Sequence, residues 1–203
     1  MVARRRGDGV AMPSWKVPAH LADFTIRKQG EFDMACGLYC ILSAAFHFKT
    51  RWSQKLKGES YALHQALSRL RGDWNRARYS TELLGGLGLP TRRLDKLCAQ
   101  VGVKLDAAPR STYEQLVEPY DSERELWLAL LPAVPFPHSR SSKTEEWSHY
   151  VLVLEANEHG LIIADPHPWR GDIYPMARAE FEACWSKTVP KTPKRWLGRL
   201  TAA

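Results

Sequence analysis

Cys36 stands where the polar run Gln29 to Asp33 gives way to Cys-Gly-Leu-Tyr-Cys-Ile-Leu-Ser-Ala-Ala-Phe-His-Phe, residues 36–48. As a helix, this stretch carries apolar positions all the way round the wheel, and a helix without a polar face has to be buried. A thiol in its first turn feels the positive end of the helix dipole, which favours the thiolate, the nucleophilic form. Covalent catalysis needs such a group on a central, immobile element. Taken alone, Cys36 reads as a small buried hydrophobe, the ordinary role of a free cysteine. Two residues far along the chain change that reading.

His149 opens an apolar run and Asp165 closes the next, sixteen residues later, with 157–160 as the turn between them. A hairpin of that length puts its two ends side by side at one rim of a sheet. An Asp beside a His fixes the imidazole tautomer and stabilises the cationic ring, the orienting role in a nucleophile–base–acid triad. Cys36, His149 and Asp165 together have the chemistry of acyl transfer through a thiol.

The elements that must position these residues follow from periodicity. A short extended lead-in covers 20–28, and the Cys36 helix follows. Leu63, Ala66, Leu67 and Leu70 predict an amphipathic helix over 64–70, and Ser80 opens another short helix that Gly85-Gly86 stops. Pro90 and the spacing of Leu94, Leu97, Cys98 and Val101 predict a helix over 91–101 ended by Gly102. A strand over 103–106 and a short helix over 111–117 come next. The remainder reads as a strand over 125–131 ended by Pro132 and Pro135, a polar loop over 138–146, a hairpin of 149–156 with 161–165, a helix over 177–185 and a last strand over 195–200. Helices first and antiparallel strands later is an α+β layout.

The chain has 203 residues, enough for one substantial domain, with 29 Lys and Arg against 22 Asp and Glu. A basic, Gly- and Pro-containing arm over 1–22 precedes the domain over 23–203. Arg4, Arg5 and Arg6 resemble the start of a signal peptide, but no apolar stretch follows, and no run reaches the length of a membrane span. A cytoplasmic protein is expected, or one exported by a route without a cleavable N-terminal signal. Cys36, Cys40, Cys98 and Cys184 have neither the spacing of a disulfide framework nor that of a zinc site, so no metal and no cofactor is expected.

The segment 49–79 is strongly basic: Lys49, Arg51, Lys55, Lys57, Arg69, Arg71, Arg76 and Arg78 face only Glu59 and Asp73, with Trp52, Tyr61, Trp74 and Tyr79 interleaved. That is the pattern of a nucleic-acid surface. Helical periodicity explains most of the positions without one, and no recognised nucleic-acid motif accompanies it. A solvated face beside an acidic partner or substrate is the simpler reading.

Gln29, Cys36-Gly37 on an apolar helix, the strand His149-Tyr-Val-Leu-Val and the strand Ile-Ile-Ala-Asp165-Pro166 resemble the papain-like cysteine peptidases. Within them the residues are most similar to the double-glycine leader peptidase family, which processes bacteriocin precursors. The resemblance runs from about Gln29 to Pro166. It implies a papain-like α+β domain, with N-terminal helices around a central Cys-bearing helix packed on a C-terminal antiparallel sheet. It also implies that Cys36 is the nucleophile, His149 the general base and acid, Asp165 its orienter, and Gln29 an oxyanion donor beside the Cys36 backbone N–H. Trp147, His167 and Trp169 are candidates to wall a substrate groove. A peptide or protein is the expected partner, and hydrolysis of a peptide or isopeptide bond the expected reaction, as in a leader peptidase or a secreted bacterial effector or toxin. The same triad would serve a deamidase, transglutaminase or acyltransferase. A binding module with a vestigial triad, using segment 49–79, is the reading from a different class.

Overall fold

The computed structural model describes residues 18–28, 35–56, 60–82, 91–108, 110–118, 121, 123–137, 144–167, 173–187 and 194–203. After a 3-10 turn at Ala19–Leu21 come the helices α1 (Cys36–His47), α2 (Arg51–Lys55), α3 (Ser60–Glu82) and α4 (Thr91–Gln100). Then follow β1 (Val103–Ala108), α5 (Glu114–Val117), β2 (Glu125–Pro137), β3 (Thr144–Ala156), β4 (Gly160–Ala164), β5 (Ile173–Ala177), α6 (Arg178–Trp185) and β6 (Trp196–Ala202). The strands form one sheet in the order β1-β6-β2-β3-β4-β5, every pairing antiparallel. The fold is α+β, with helices on both faces of the sheet.

Helix α1 fulfils the expectation set by its apolar sequence: every residue from Cys36 to Ala45 is buried. It lies against one sheet face together with Leu70 and Trp74 of α3, Leu94, Leu97 and Cys98 of α4, and Tyr150, Leu152 and Leu154 of β3. Leu38, Ile41 and Leu42 are wholly inaccessible, each contributing about 1.5–3 kcal/mol by burial. The opposite face carries Val151, Val153, Leu161 and Ile163 against Tyr113, which precedes α5, Leu116 of α5, and Phe181 and Trp185 of α6. Thr50 links the helical layer: its hydroxyl accepts the Ser53 N–H at the start of α2 and donates to the Val101 carbonyl at 2.8 Å.

Several elements differ from the periodicity reading. Residues 64–70 and the turn at Ser80 belong to one long helix, α3, because a helix anchored by buried Leu70 and Trp74 extends through Ser80 at little cost. Gly85-Gly86 lies outside the described residues. Strand β2 continues past Pro132 and Pro135 to Pro137, with a register shift between Leu131 and Val134. A bulge leaves a residue without a ladder bond, so Pro132 removes nothing there, whereas Pro135 stands in the paired stretch opposite Glu146. Because β2 is long, its partner β3 starts at Thr144. His149 therefore lies inside a strand rather than at its start, and 144–146 are strand rather than loop. Strand β5, which sequence alternation did not reveal, contains Pro175 and is tolerated because it forms the sheet edge.

Candidate active site

Three elements bring Cys36, His149 and Asp165 together. Cys36 is the first residue of α1, so its backbone N–H has no acceptor within the helix. His149 is on β3, opposite Leu131 of β2, where the β2 register then shifts. Asp165 follows the last residue of β4. All three are buried, with 8%, 3% and 1% of their surface exposed.

Hairpin arithmetic shows why a second bulge matters. Near the turn, Ala156 opposes Leu161 and Glu155 opposes Ile162; beyond a register shift, Val153 opposes Ile163 and Leu152 opposes Ala164. Continued without the shift, the first register would place Asp165 opposite Leu152, on the face away from His149, because side chains alternate along a strand. With the extra residue, the register that pairs Leu152 with Ala164, carried one position further, sets Asp165 across from Val151, on the face of His149 and diagonal to it. The side chains then meet: His149 Nε2 and Asp165 Oδ1 are 2.7 Å apart.

Asp165 is held on both oxygens. Oδ1 also accepts the His167 backbone N–H at 2.8 Å, and Oδ2 accepts the Tyr174 hydroxyl at 3.1 Å. Burial pushes the Asp165 carboxyl up, but the hydrogen bond and charge of His149, with the donors from His167 and Tyr174, outweigh it and hold the group below its usual range. Burial likewise pushes the His149 imidazolium down. The charge on Cys36, the hydrogen bonds to Asp165 and Cys36, and the Asp165 charge oppose it, and the pKa is pushed up to about 9. With Nε2 turned to Asp165, Nδ1 is the nitrogen left for Cys36.

The sulfur has a further donor: the Tyr150 N–H points at Cys36 Sγ at 3.4 Å. One helical turn on, Cys40 donates its S–H to the Tyr150 carbonyl at 3.5 Å. Burial, followed by the charges of Cys36 and Asp165, pushes the Cys40 thiol far up, so it stays a neutral donor. The two cysteines of α1 thus have opposite roles at one residue of β3. A buried sulfur beside an imidazole that is itself tied to a carboxylate can attack a carbonyl carbon, and the imidazolium can then protonate the leaving group.

Gly37 has a steric reason to be glycine. A Cβ there would sit 2.5 Å from Trp74 Cη2 and 2.9 Å from Tyr150 Cδ2, and neither ring is the free end of a flexible chain. Trp74 and Tyr150 meet edge-on at 6.2 Å, closing the space over the first turn of α1. Gly37→Ala is expected to cost about 1–3 kcal/mol through overpacking. Thermal unfolding should show a midpoint lowered by several degrees; an unchanged midpoint would contradict the packing argument.

Of the other residues singled out in the sequence, His167 is at the site, its ring 6.0 Å from that of His149 and its carbonyl accepting from Lys28 Nζ. Trp147 is on β3 opposite Val134, two residues before His149. Gln29 and Trp169 lie outside the described residues. Tyr150, Tyr174 and Trp74 were missed. Tyr150 could have been found from its place next to His149, whereas Tyr174 is on the unpredicted strand β5 and Trp74 reads in sequence only as part of a basic, aromatic segment. Among the described residues no group of three His, Cys, Asp or Glu side chains is arranged to hold a metal. No described helix is long and apolar enough to cross a membrane.

A buried Cys-bearing helix packed on an antiparallel sheet that presents a His and an Asp at one rim is an α+β domain with the parts of a thiol site. Residues 110–192, which include His149 and Asp165 but not Cys36, match the model of the Peptidase C39 family. Over that stretch the chain resembles this family, as the sequence motifs indicated. Among solved structures it is similar to the peptidase domain of Streptococcus ComA, a bi-functional ABC transporter involved in a quorum sensing pathway. That likeness has a TM-score of 0.51 at 16% identity and covers 89% of this chain and 99% of the other, a likeness of fold. No match to a curated protein was found.

Proposed function

We propose that the chain is a papain-like cysteine peptidase that hydrolyses a peptide bond through Cys36, His149 and Asp165. The observation that carries this reading is the buried line of contacts from the Cys36 sulfur through the His149 ring to Asp165 Oδ1. In the first step the Cys36 sulfur adds to the substrate carbonyl carbon. His149 then gives its proton to the departing amine as the C–N bond breaks, leaving a thioester. In the second step His149 takes a proton from water, whose oxygen displaces the Cys36 sulfur and releases the acid. The backbone N–H of Cys36 at the start of α1 would donate to the oxyanion, with Gln29 as its partner. His167, Trp147 and Trp169 would line the approach. The family resemblance favours leader-type peptides as the substrate class. The exposed basic residues Arg51, Lys55, Arg69 and Arg71 suit steering of acidic segments.

Incubation with a peptide-like electrophile such as a chloromethyl ketone, followed by peptide mass spectrometry, tests the site. Selective modification of Cys36 over Cys40, Cys98 and Cys184 is the expected result. Equal or preferential labelling of another cysteine would overturn the assignment.

The ion pair has a defined pH window. His149 has a folded pKa raised from an ordinary 6.5 to about 9, so the protonated ring persists through neutrality and is lost as pH rises through about 9. A profile of kcat/KM against a fluorogenic peptide should fall on its alkaline side near that value. The raised pKa also stabilises the fold: its contribution is fully present below 6.5 and is lost as pH climbs to about 9. Asp165, lowered from 3.8, contributes above that value and loses its contribution as pH falls through its lower folded value.

A further inference from the structure

We propose that Tyr174 is a positioning residue of this site: its hydroxyl on Asp165 Oδ2 fixes the carboxylate plane so that Oδ1 is presented to His149. The proposal rests on the peptidase reading of Cys36 and His149, and it adds a residue from the sheet edge that neither motif nor periodicity singled out.

The geometry assigns each oxygen of a nearly inaccessible carboxylate. Oδ1 is shared by the His149 ring at 2.7 Å and the His167 N–H at 2.8 Å, and Tyr174 supplies the donor to Oδ2 at 3.1 Å. Buried carboxylate oxygens require donors, and loss of the Tyr174 hydroxyl would leave Oδ2 without one and the carboxylate plane set by the Oδ1 bonds alone. The loop from Asp165 to His167 is tethered elsewhere, because Lys28 Nζ donates to the His167 carbonyl at 3.2 Å. Removal of the tyrosine hydroxyl therefore acts on the carboxylate while leaving the loop in place. Tyr174 reaches Asp165 because β5 pairs with β4 and sets Tyr174 opposite Ile163, two residues before the aspartate. Around Asp165 stand the His149 ring on β3, the His167 backbone N–H in its own loop and the Tyr174 hydroxyl on β5, and its charge reaches the Cys40 thiol on α1. Of these, Tyr174 is the group that donates to Oδ2.

The test needs no knowledge of the substrate. Selective iodoacetamide labelling of Cys36 in the unsubstituted protein checks the peptidase reading, which fails if another cysteine is labelled in its place, whatever Tyr174 does. The titration of the His149 ring, followed through its Cε1–H resonance by NMR, reads the support that Asp165 gives it; in the unsubstituted protein the midpoint is raised to about 9. Tyr174→Phe keeps the ring and the β5 packing but loses the Oδ2 donor. The His149 midpoint is then expected to fall by about half a pH unit or more, because a less firmly held Asp165 supports the imidazolium less. In an Asp165→Ala background the same substitution should move the midpoint by less than half as much. An unmoved midpoint in Tyr174→Phe, or an equal effect in both backgrounds, would overturn the proposal. Should Tyr174→Phe unfold, Tyr174→Leu, which also lacks the donor, is read in the same way: a lowered midpoint supports the role and an unmoved one counts against it.

Discussion

Cys36→Ala is expected to abolish peptide turnover, by roughly three orders of magnitude or more, while the domain stays folded. The argument is chemical rather than steric. Alanine keeps the helical backbone at the first position of α1 and leaves the apolar packing of Leu38, Ile41 and Leu42 untouched. What disappears is the only sulfur that both accepts the Tyr150 N–H and meets the His149 ring among the described residues. Thermal unfolding should shift by only a few degrees, since one buried group is shortened and one weak hydrogen bond is lost. Cys40→Ala is the matched control. Its thiol lies one turn along the same helix, but burial keeps it protonated, so labelling of Cys36 should survive its removal. Retained turnover in folded Cys36→Ala protein would end the enzyme reading of this site.

His149→Ala should be nearly as damaging as Cys36→Ala, because nucleophile and base act as one unit and losing either removes the shared step. The loss has two parts. Without the imidazolium, Cys36 loses the cation that faces it, and its selective alkylation over the other cysteines should be lost. Without the ring proton, the leaving amine has no acid. Asp165 is also left buried with one partner fewer, so the variant should be less stable than Cys36→Ala, and its folding must be checked by circular dichroism. Asp165→Asn should retain more activity than either, since Asp165 acts only through the His149 ring. If Asp165→Asn proved the most damaging of the three while still folded, the assigned roles would be wrong.

These expectations have different origins. That α1 is buried on every side could be read from residues 36–48, because only a fully apolar wheel forces that placement. The positions of α4 and α6 were legible for a related reason: each has its apolar spacing, and α4 also has a glycine stop, Gly102 at φ +73. The sequence thus determined which residues to place at a candidate site and that one of them heads a central helix.

Register, by contrast, was decided only in the assembled sheet. From Ala156 and Leu161 alone, a regular ladder would turn Asp165 away from His149; the bulge between Val153 and Glu155 reverses its face. Nothing in the local sequence Val153-Leu-Glu155 marks the extra residue, which is visible only in the paired register. The extension of β2 past Pro132 has the same origin, because whether a proline ends a strand depends on whether its missing N–H was needed by a neighbour. Strand β5 and with it the Tyr174 hydroxyl became visible only when the sheet edge existed to hold them. Local periodicity encodes burial, residue by residue. Which face a side chain presents to a partner sixteen positions away depends on the count of residues between them in the folded ladder, and that count is a property of the tertiary structure.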